Sequence, residues 1–207
     1  AQVGELTRVT IEAIRPGDVV LADTQTGGVL SFYVRNLGAF IEGLTVAPDG
    51  TLKSEQWFDA PYCAMMHDFT ISENYALFPI YPTTADLDRL KAGGAHWAHR
   101  QDLPSYIGIM PRYGDVSEIK WFKGPKGCHS YHMMNAWEDA DGLLHFDQCL
   151  SNTNAFAFIR EPSGIQMQPW EIQGGLTRWT VDPRGPAGDV AESVIGPPGD
   201  FPVIPAA

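Results

Sequence analysis

Met65-Met66-His67-Asp68-Phe69-Thr70-Ile71-Ser72-Glu73-Asn74-Tyr75 sets a histidine ahead of an alternating run of aromatic and β-branched residues. A two-residue period puts His67, Phe69, Ile71 and Glu73 on one face of a strand predicted over 69–78. His132-Met133-Met134-Asn135-Ala136-Trp137-Glu138 repeats the arrangement, with His132, Met134, Ala136 and Glu138 in the same parity. A carboxylate six residues along a straight strand lies about 20 Å away. Neither Glu73 nor Glu138 is therefore expected to partner its own histidine, although a metal-bound imidazole needs an acceptor for its second N–H.

Working outward, short β-prone runs recur between turn residues. Strands are predicted over 29–34, 106–110, 118–122, 131–138, 143–149, 155–160, 176–181 and 189–195. Ala47-Pro48-Asp49-Gly50 and Asp139-Ala140-Asp141-Gly142 read as turns, because Pro fixes φ and Gly tolerates positive φ. One helix is predicted over 84–91, with Thr84 as its cap, Leu87 and Leu90 on one face, and Gly93-Gly94 ending it. Many short strands with 21 Gly and 16 Pro point to an all-β propeller, barrel or sandwich. Pro197, Pro198, Pro202 and Pro205 suggest an extended tail.

The net charge of −11, from 25 acidic against 14 basic residues, argues against a phosphate-backbone partner, so no nucleic acid is expected. With 44% hydrophobic residues the chain has material for an ordered core. Cys63, Cys128 and Cys149 are odd in number and lack CxxC spacing, which reads as reduced thiols in a cytoplasmic protein. No signal peptide or transmembrane segment is visible.

There are six histidines. Imidazole ligands suit iron, zinc, copper or nickel, so residue type alone does not choose the metal, and a lone strand histidine is more often structural. Cys128, His129 and His132 form a rival cluster, and His96-x-x-His99 another. HExxH, Gly-rich phosphate loops and Gly-x-Ser-x-Gly are absent, so zinc hydrolase, dehydrogenase and serine hydrolase have no positive support.

Residues 66–75 resemble the MHDF-x-(I/V)-(T/S)-E-(N/D) motif of the carotenoid cleavage oxygenases, and His132 to Glu138 resembles that family's H-x-x-N-A-(F/Y/W)-E motif. Gly108-Ile109-Met110-Pro111-Arg112, Trp121-Phe122, Leu176-Thr177-Arg178-Trp179 and Asp182 also fit, most closely in the lignostilbene or stilbene dioxygenase branch. The resemblance implies part of a seven-bladed β-propeller with short helical and loop insertions. Residues 1–28 would be a divergent N-terminal segment and 29–207 the partial oxygenase domain. It further implies Fe(II) held by four histidines, with O2 splitting the carbon–carbon double bond of a carotenoid, apocarotenoid or stilbene-type substrate into two carbonyl products.

Under the resemblance His67 and His132 are metal ligands. Glu73, Glu138 and Asp200 are candidates for the surrounding carboxylate network, Asp200 standing where the family has a glutamate that orients the third histidine. Phe69, Met134 and Trp137 are candidates for an apolar substrate tunnel, with core packing as the competing reading. Val19 stands where the family's first histidine belongs, and the last belongs beyond Ala207. The implied partners are O2, a hydrophobic or aromatic alkene, and the rest of the propeller or another copy of the chain. The alternative is a catalytically inactive relic, or a binding or scaffold protein, that keeps the fold signature.

Overall fold

The computed structural model describes residues 54–156 and 158–199 in full, and the strands within 19–22, 29–34, 40–46 and 52–53 by their backbone. β1 (Val19–Ala22), β2 (Val29–Val34), β3 (Phe40–Val46) and β4 (Leu52–Asp59) form one antiparallel sheet in chain order. All four residues of β1, from within the 1–28 segment, pair with β2. The Ala47–Gly50 turn lies outside the described residues.

β5 (Thr70–Ile71) and β6 (Tyr75–Ile80) begin a second sheet. A two-stranded ribbon then interrupts it: β7 (Thr83–Ala85), helix α1 (Leu87–Lys91) and β8 (Trp97–His99). β9 (Pro104–Pro111) and β10 (Lys120–Lys126) complete the sheet in the order β10-β9-β6-β5. β11 (Met133–Glu138), β12 (Leu144–Ser151), β13 (Gly174–Val181) and β14 (Ala191–Gly196) form the third, also antiparallel and in chain order. Four-stranded antiparallel sheets are the unit from which propellers are built. The described residues supply three of them and do not close a ring.

Two apolar cores join the sheets. Leu77, Ile107, Ile109 and Phe122 of the second sheet pack with Leu144, Phe146, Trp179 and Val181 of the third. Phe58 of β4 packs with Phe69, Phe78, Ile80 and Met110. Backbone bonds add to the second-to-third junction, where Lys123 N–H donates to the Gly188 carbonyl and Val190 N–H to the Lys123 carbonyl, both at 2.8 Å.

Several predicted boundaries move, each for a local reason. The strand over 69–78 is two strands, because Ser72 N–H donates to the Tyr75 carbonyl at 2.9 Å and Ser72 Oγ accepts from Tyr75 N–H at 3.1 Å, closing a turn. The helix is shorter than 84–91: Thr84 belongs to β7, and Asp86 is the cap, accepting from Arg89 N–H at 2.7 Å. Gly93, at φ 79°, follows its end. Glu118 sits in a 3-10 turn (Val116–Glu118) capped by Asp115, so β10 starts at Lys120. No described residue of 155–160 is in a strand; Asn154 Oδ1 accepts from Phe156 N–H and holds a turn. The Asp139–Gly142 hairpin forms as predicted, with Asp139 Oδ1 accepting from Asp141 and Leu143 N–H.

Candidate functional site: a pair of histidines between two sheets

His67 lies in an irregular segment just ahead of β5, and His132 immediately precedes β11. The segments are fixed separately. Met65 N–H donates to the Thr83 carbonyl at 2.7 Å, and the His132 carbonyl accepts from Cys149 N–H at 3.3 Å and Ser130 Oγ at 3.2 Å. The two imidazoles come together, with ring centroids 5.4 Å apart and planes at 79°. Tyr131 stands edge-on to His67 at 5.4 Å, its hydroxyl donating to Asn154 Oδ1 at 2.8 Å. His67 is exposed and His132 half-buried, so both can be reached from solvent.

A metal bound at about 2.1 Å to one nitrogen of each ring would separate the centroids by about 4.5–5.5 Å, for inter-ligand angles of about 90–120°. The observed spacing fits two ligands of one ion. Among the described residues no group of three or more His, Cys, Asp and Glu side chains converges as a metal site. Among the described residues the pair is two converging imidazoles and not a complete set of metal donors.

Asp68 bridges the two segments. Its Oδ1 accepts from Phe69 N–H and its Oδ2 from Met133 N–H, the residue after His132, each at 2.9 Å. Glu138 reaches the other way: Oε1 accepts from Ser72 Oγ at 2.7 Å and Asn74 N–H at 3.0 Å, in the β5–β6 turn. Glu73 is exposed in that turn, and Asp200 lies outside the described residues.

The three apolar candidates diverge. Phe69 is buried in the core beside Phe78, whereas Met134 is exposed. Trp137 meets the Arg178 guanidinium, 4.6 Å from its ring centroid, and stacks with the His145 ring at 5.4 Å.

The rival histidine clusters have other roles. His96 is exposed beside Trp97, while His99 is buried. Cys128 Sγ donates to Ser105 Oγ at 3.2 Å, and burial pushes its thiol up to about 12, which disfavours a thiolate ligand.

His99 and His129 meet at Thr83, whose Oγ1 is 3.1 Å from Nδ1 of each. Asn154 Nδ2 donates to that oxygen at 2.9 Å, and His99 Nε2 must donate to the Gly127 carbonyl at 2.8 Å. Neutral His99 then has a bare Nδ1 that takes the Thr83 hydroxyl proton, and His129 Nδ1 must carry a proton to donate to Thr83. His129 Nε2 is left with a lone pair, buried and without a partner among the described residues. Burial lowers His129 to about 3 and lowers His99 as well, so both are neutral near pH 7. His129 and Tyr131 line an open cavity of about 710 Å³ with Cys149, Leu150 and Phe156. Nothing in the spacing of Thr83, Tyr131 and Asn154 announced this network.

No helix among the described residues is long and apolar enough to cross a membrane. The family model of the retinal pigment epithelial membrane protein matches residues 21–207. The chain is 39% identical over 149 residues to a lignostilbene-alpha,beta-dioxygenase isozyme III of Sphingomonas paucimobilis, covering 71% of this chain and 30% of that protein. It is also 39% identical over 140 residues to resveratrol cleavage oxygenase 1 of Aspergillus fumigatus, covering 67% of this chain and 28% of that one. The crystal structure of Pseudomonas brassicacearum lignostilbene dioxygenase superposes with a TM-score of 0.78 at 35% identity, covering 88% of this chain and 38% of the other. The chain thus spans under a third of the length of these two curated relatives.

Proposed function

The chain belongs to the carotenoid cleavage oxygenase family, alongside the lignostilbene dioxygenases, and from that membership we propose that His67 and His132 are two of the ligands of a mononuclear Fe(II) centre. The centre would be completed by residues beyond those described. The reaction is cleavage of a carbon–carbon double bond in a stilbene- or carotenoid-type alkene by O2, giving two carbonyl products. Convergence of the two imidazoles at 5.4 Å, from segments far apart in the chain, carries this reading.

Bound iron would supply O2 activation, and imidazole ligands, which bring no negative charge, would leave its positive charge uncancelled. The chain's own contribution is placement. The backbone around His67 is held to β7 and that around His132 to β12, so each ring enters from a separately fixed segment. The Tyr131 ring forms a wall beside His67, its hydroxyl already engaged with Asn154. In this proposal 29–207 forms the oxygenase domain, with β1 completing its first blade. Residues lacking from this chain, or a second copy of it, supply the rest of the seven blades. Cys63, Cys128 and Cys149 form no disulfide, which suits a cytoplasmic setting.

The absence of a third donor among the described residues favours a second reading for the chain on its own: a catalytically silent member that keeps the fold. Anaerobic reconstitution of the full chain with Fe(II), followed by exposure to O2 and a hydroxystilbene, separates them. One Fe(II) per chain, lost in His67→Ala and in His132→Ala, supports the ligand assignment. Oxygen uptake with aldehyde formation supports turnover, and bound iron without uptake supports the silent scaffold. No iron bound by the wild-type chain overturns the assignment.

A further inference from the structure

We propose that Asp68 is a positioning residue that sets the spacing of the two imidazoles, an inference that rests on reading His67 and His132 as ligands of one ion. Asp68 directly follows His67, and Met133 directly follows His132. One carboxylate spans both segments, with Oδ1 on Phe69 N–H and Oδ2 on Met133 N–H, each at 2.9 Å. The two bonds use different oxygens, so the carboxylate is a two-point brace across the junction of the second and third sheets.

Local structure on the His132 side explains why a brace is needed there. The register of β11 against β12 shifts between Met133 and Asn135, and the Met133 amide is turned to Asp68. The carbonyl of His132 is held from the other side by Cys149 N–H and Ser130 Oγ. The backbone on either side of the peptide bond after His132 is thus anchored twice, once by its own sheet and once by the residue adjoining His67. Without the second anchor, Met133 would be held only by its pairing with Gln148, cut off from the rest of β11 by the bulge. Residues that orient metal ligands without touching the metal typically alter affinity by 10–100-fold when removed.

Asparagine is the discriminating substitution. It is nearly isosteric, but it has one acceptor oxygen where the carboxylate has two, so either Phe69 N–H or Met133 N–H would face an NH2 donor. The test uses the full chain, Co(II) as the metal probe, and two metal-free NMR readouts: amide exchange at Met133 and the cross-relaxation between the His67 and His132 rings. In Asp68→Asn we expect Met133 exchange at least 10-fold faster, Phe146 exchange unchanged, and a weakened ring-to-ring signal. Co(II) affinity should fall about 10–100-fold, with a changed visible spectrum. Unchanged affinity and spectrum in Asp68→Asn overturn the proposal, as does an unchanged ring-to-ring signal. If the wild-type chain takes up no Co(II), or His67→Ala takes it up equally well, the ligand assignment fails. The brace is then decided by the ring-to-ring signal alone, whose persistence in Asp68→Asn overturns it. Asp68→Ala, which leaves both amides without an acceptor, should reproduce the loss and guards against a peculiarity of the amide side chain.

Discussion

Glu138, the last residue of β11, accepts a 2.7 Å hydrogen bond from the hydroxyl of Ser72 in the turn between β5 and β6. The same oxygen accepts from Asn74 N–H at 3.0 Å, so one carboxylate closes a turn of the second sheet from the third. Hydrogen bonds to a charged group contribute about 1.5–3 kcal/mol. Glu138→Ala is expected to cost about 2 kcal/mol, and Glu138→Gln, which keeps an acceptor, less than half of that. Urea denaturation would check both. In a double-mutant cycle with Ser72→Ala the two losses should not add, because the residues share one bond.

A second junction between the same sheets depends on a missing side chain. A Cβ on Gly124 of β10 would lie 2.5 Å from the Trp179 ring and 2.5 Å from Ser105 Oγ. Trp179 is fully buried and its indole N–H donates to Glu192 Oε2 at 2.7 Å, so it has little freedom to retreat. Gly124→Ala should destabilise by about 1–3 kcal/mol through overpacking. Gly164→Ala, where φ is 83° but nothing stands within 4 Å of the added carbon, should cost only the backbone strain, of order 1 kcal/mol. Equal losses at the two positions would show that the Trp179 contact does not resist.

Arg178 makes a forked ion pair with the buried carboxylate of Asp147, at 2.8 and 2.9 Å, while its guanidinium lies over Trp137. The planar fork is needed for both contacts, so lysine cannot replace arginine here without loss. Arg178→Lys should cost about 1 kcal/mol and Arg178→Ala about 2–3 kcal/mol, partly from leaving Asp147 buried without its partner. Trp137→Leu should cost about 0.5–1 kcal/mol beyond its lost packing and should lessen the effect of Arg178→Lys. Thermal unfolding of the wild type, the three single variants and the Trp137→Leu/Arg178→Lys double measures this directly.

These contacts show what could and could not be read in advance. The alternation after His67 and His132 announced strands, and the likeness of the two Met-His settings announced a related pair; the rings do meet. Ser72-Glu73-Asn74 is turn chemistry that an alternation count passes over, and it took Glu73 off the strand. Glu138 was correctly separated from its own histidine by distance, yet its partners in another sheet follow only from how the sheets pack. Asp68 was visible as a residue but not as a brace, because its second bond depends on a register shift in β11. The helix cap moved from Thr84 to Asp86 because Ala85 N–H is taken by the Cys63 carbonyl, extending β7 into the predicted first turn.

Acid should expose the histidine network around Thr83. In the folded chain His129 is lowered from 6.5 to about 3, first by burial and then by His99 and His67. His99 is lowered too, by burial, against the pull of the Gly127 carbonyl. A histidine whose folded value is depressed contributes its full stability above the unfolded value. As pH falls below 6.5 the unfolded chain takes up a proton that the folded chain refuses, and stability drops until pH passes the folded value. Each such histidine adds a slope of about 1.4 kcal/mol per pH unit in that window. Between pH 6 and pH 4.5 His129 should therefore contribute a slope approaching about 1.4 kcal/mol per unit, with His99 adding in the same direction, and the His129 share should vanish in His129→Gln, whose amide can still donate to Thr83 Oγ1. Urea midpoints across that range give the slopes. Imidazole ¹⁵N shifts at neutral pH should show His129 protonated at Nδ1 and bare at Nε2, and the opposite tautomer would mean that the Thr83 hydroxyl is not shared as its contacts require.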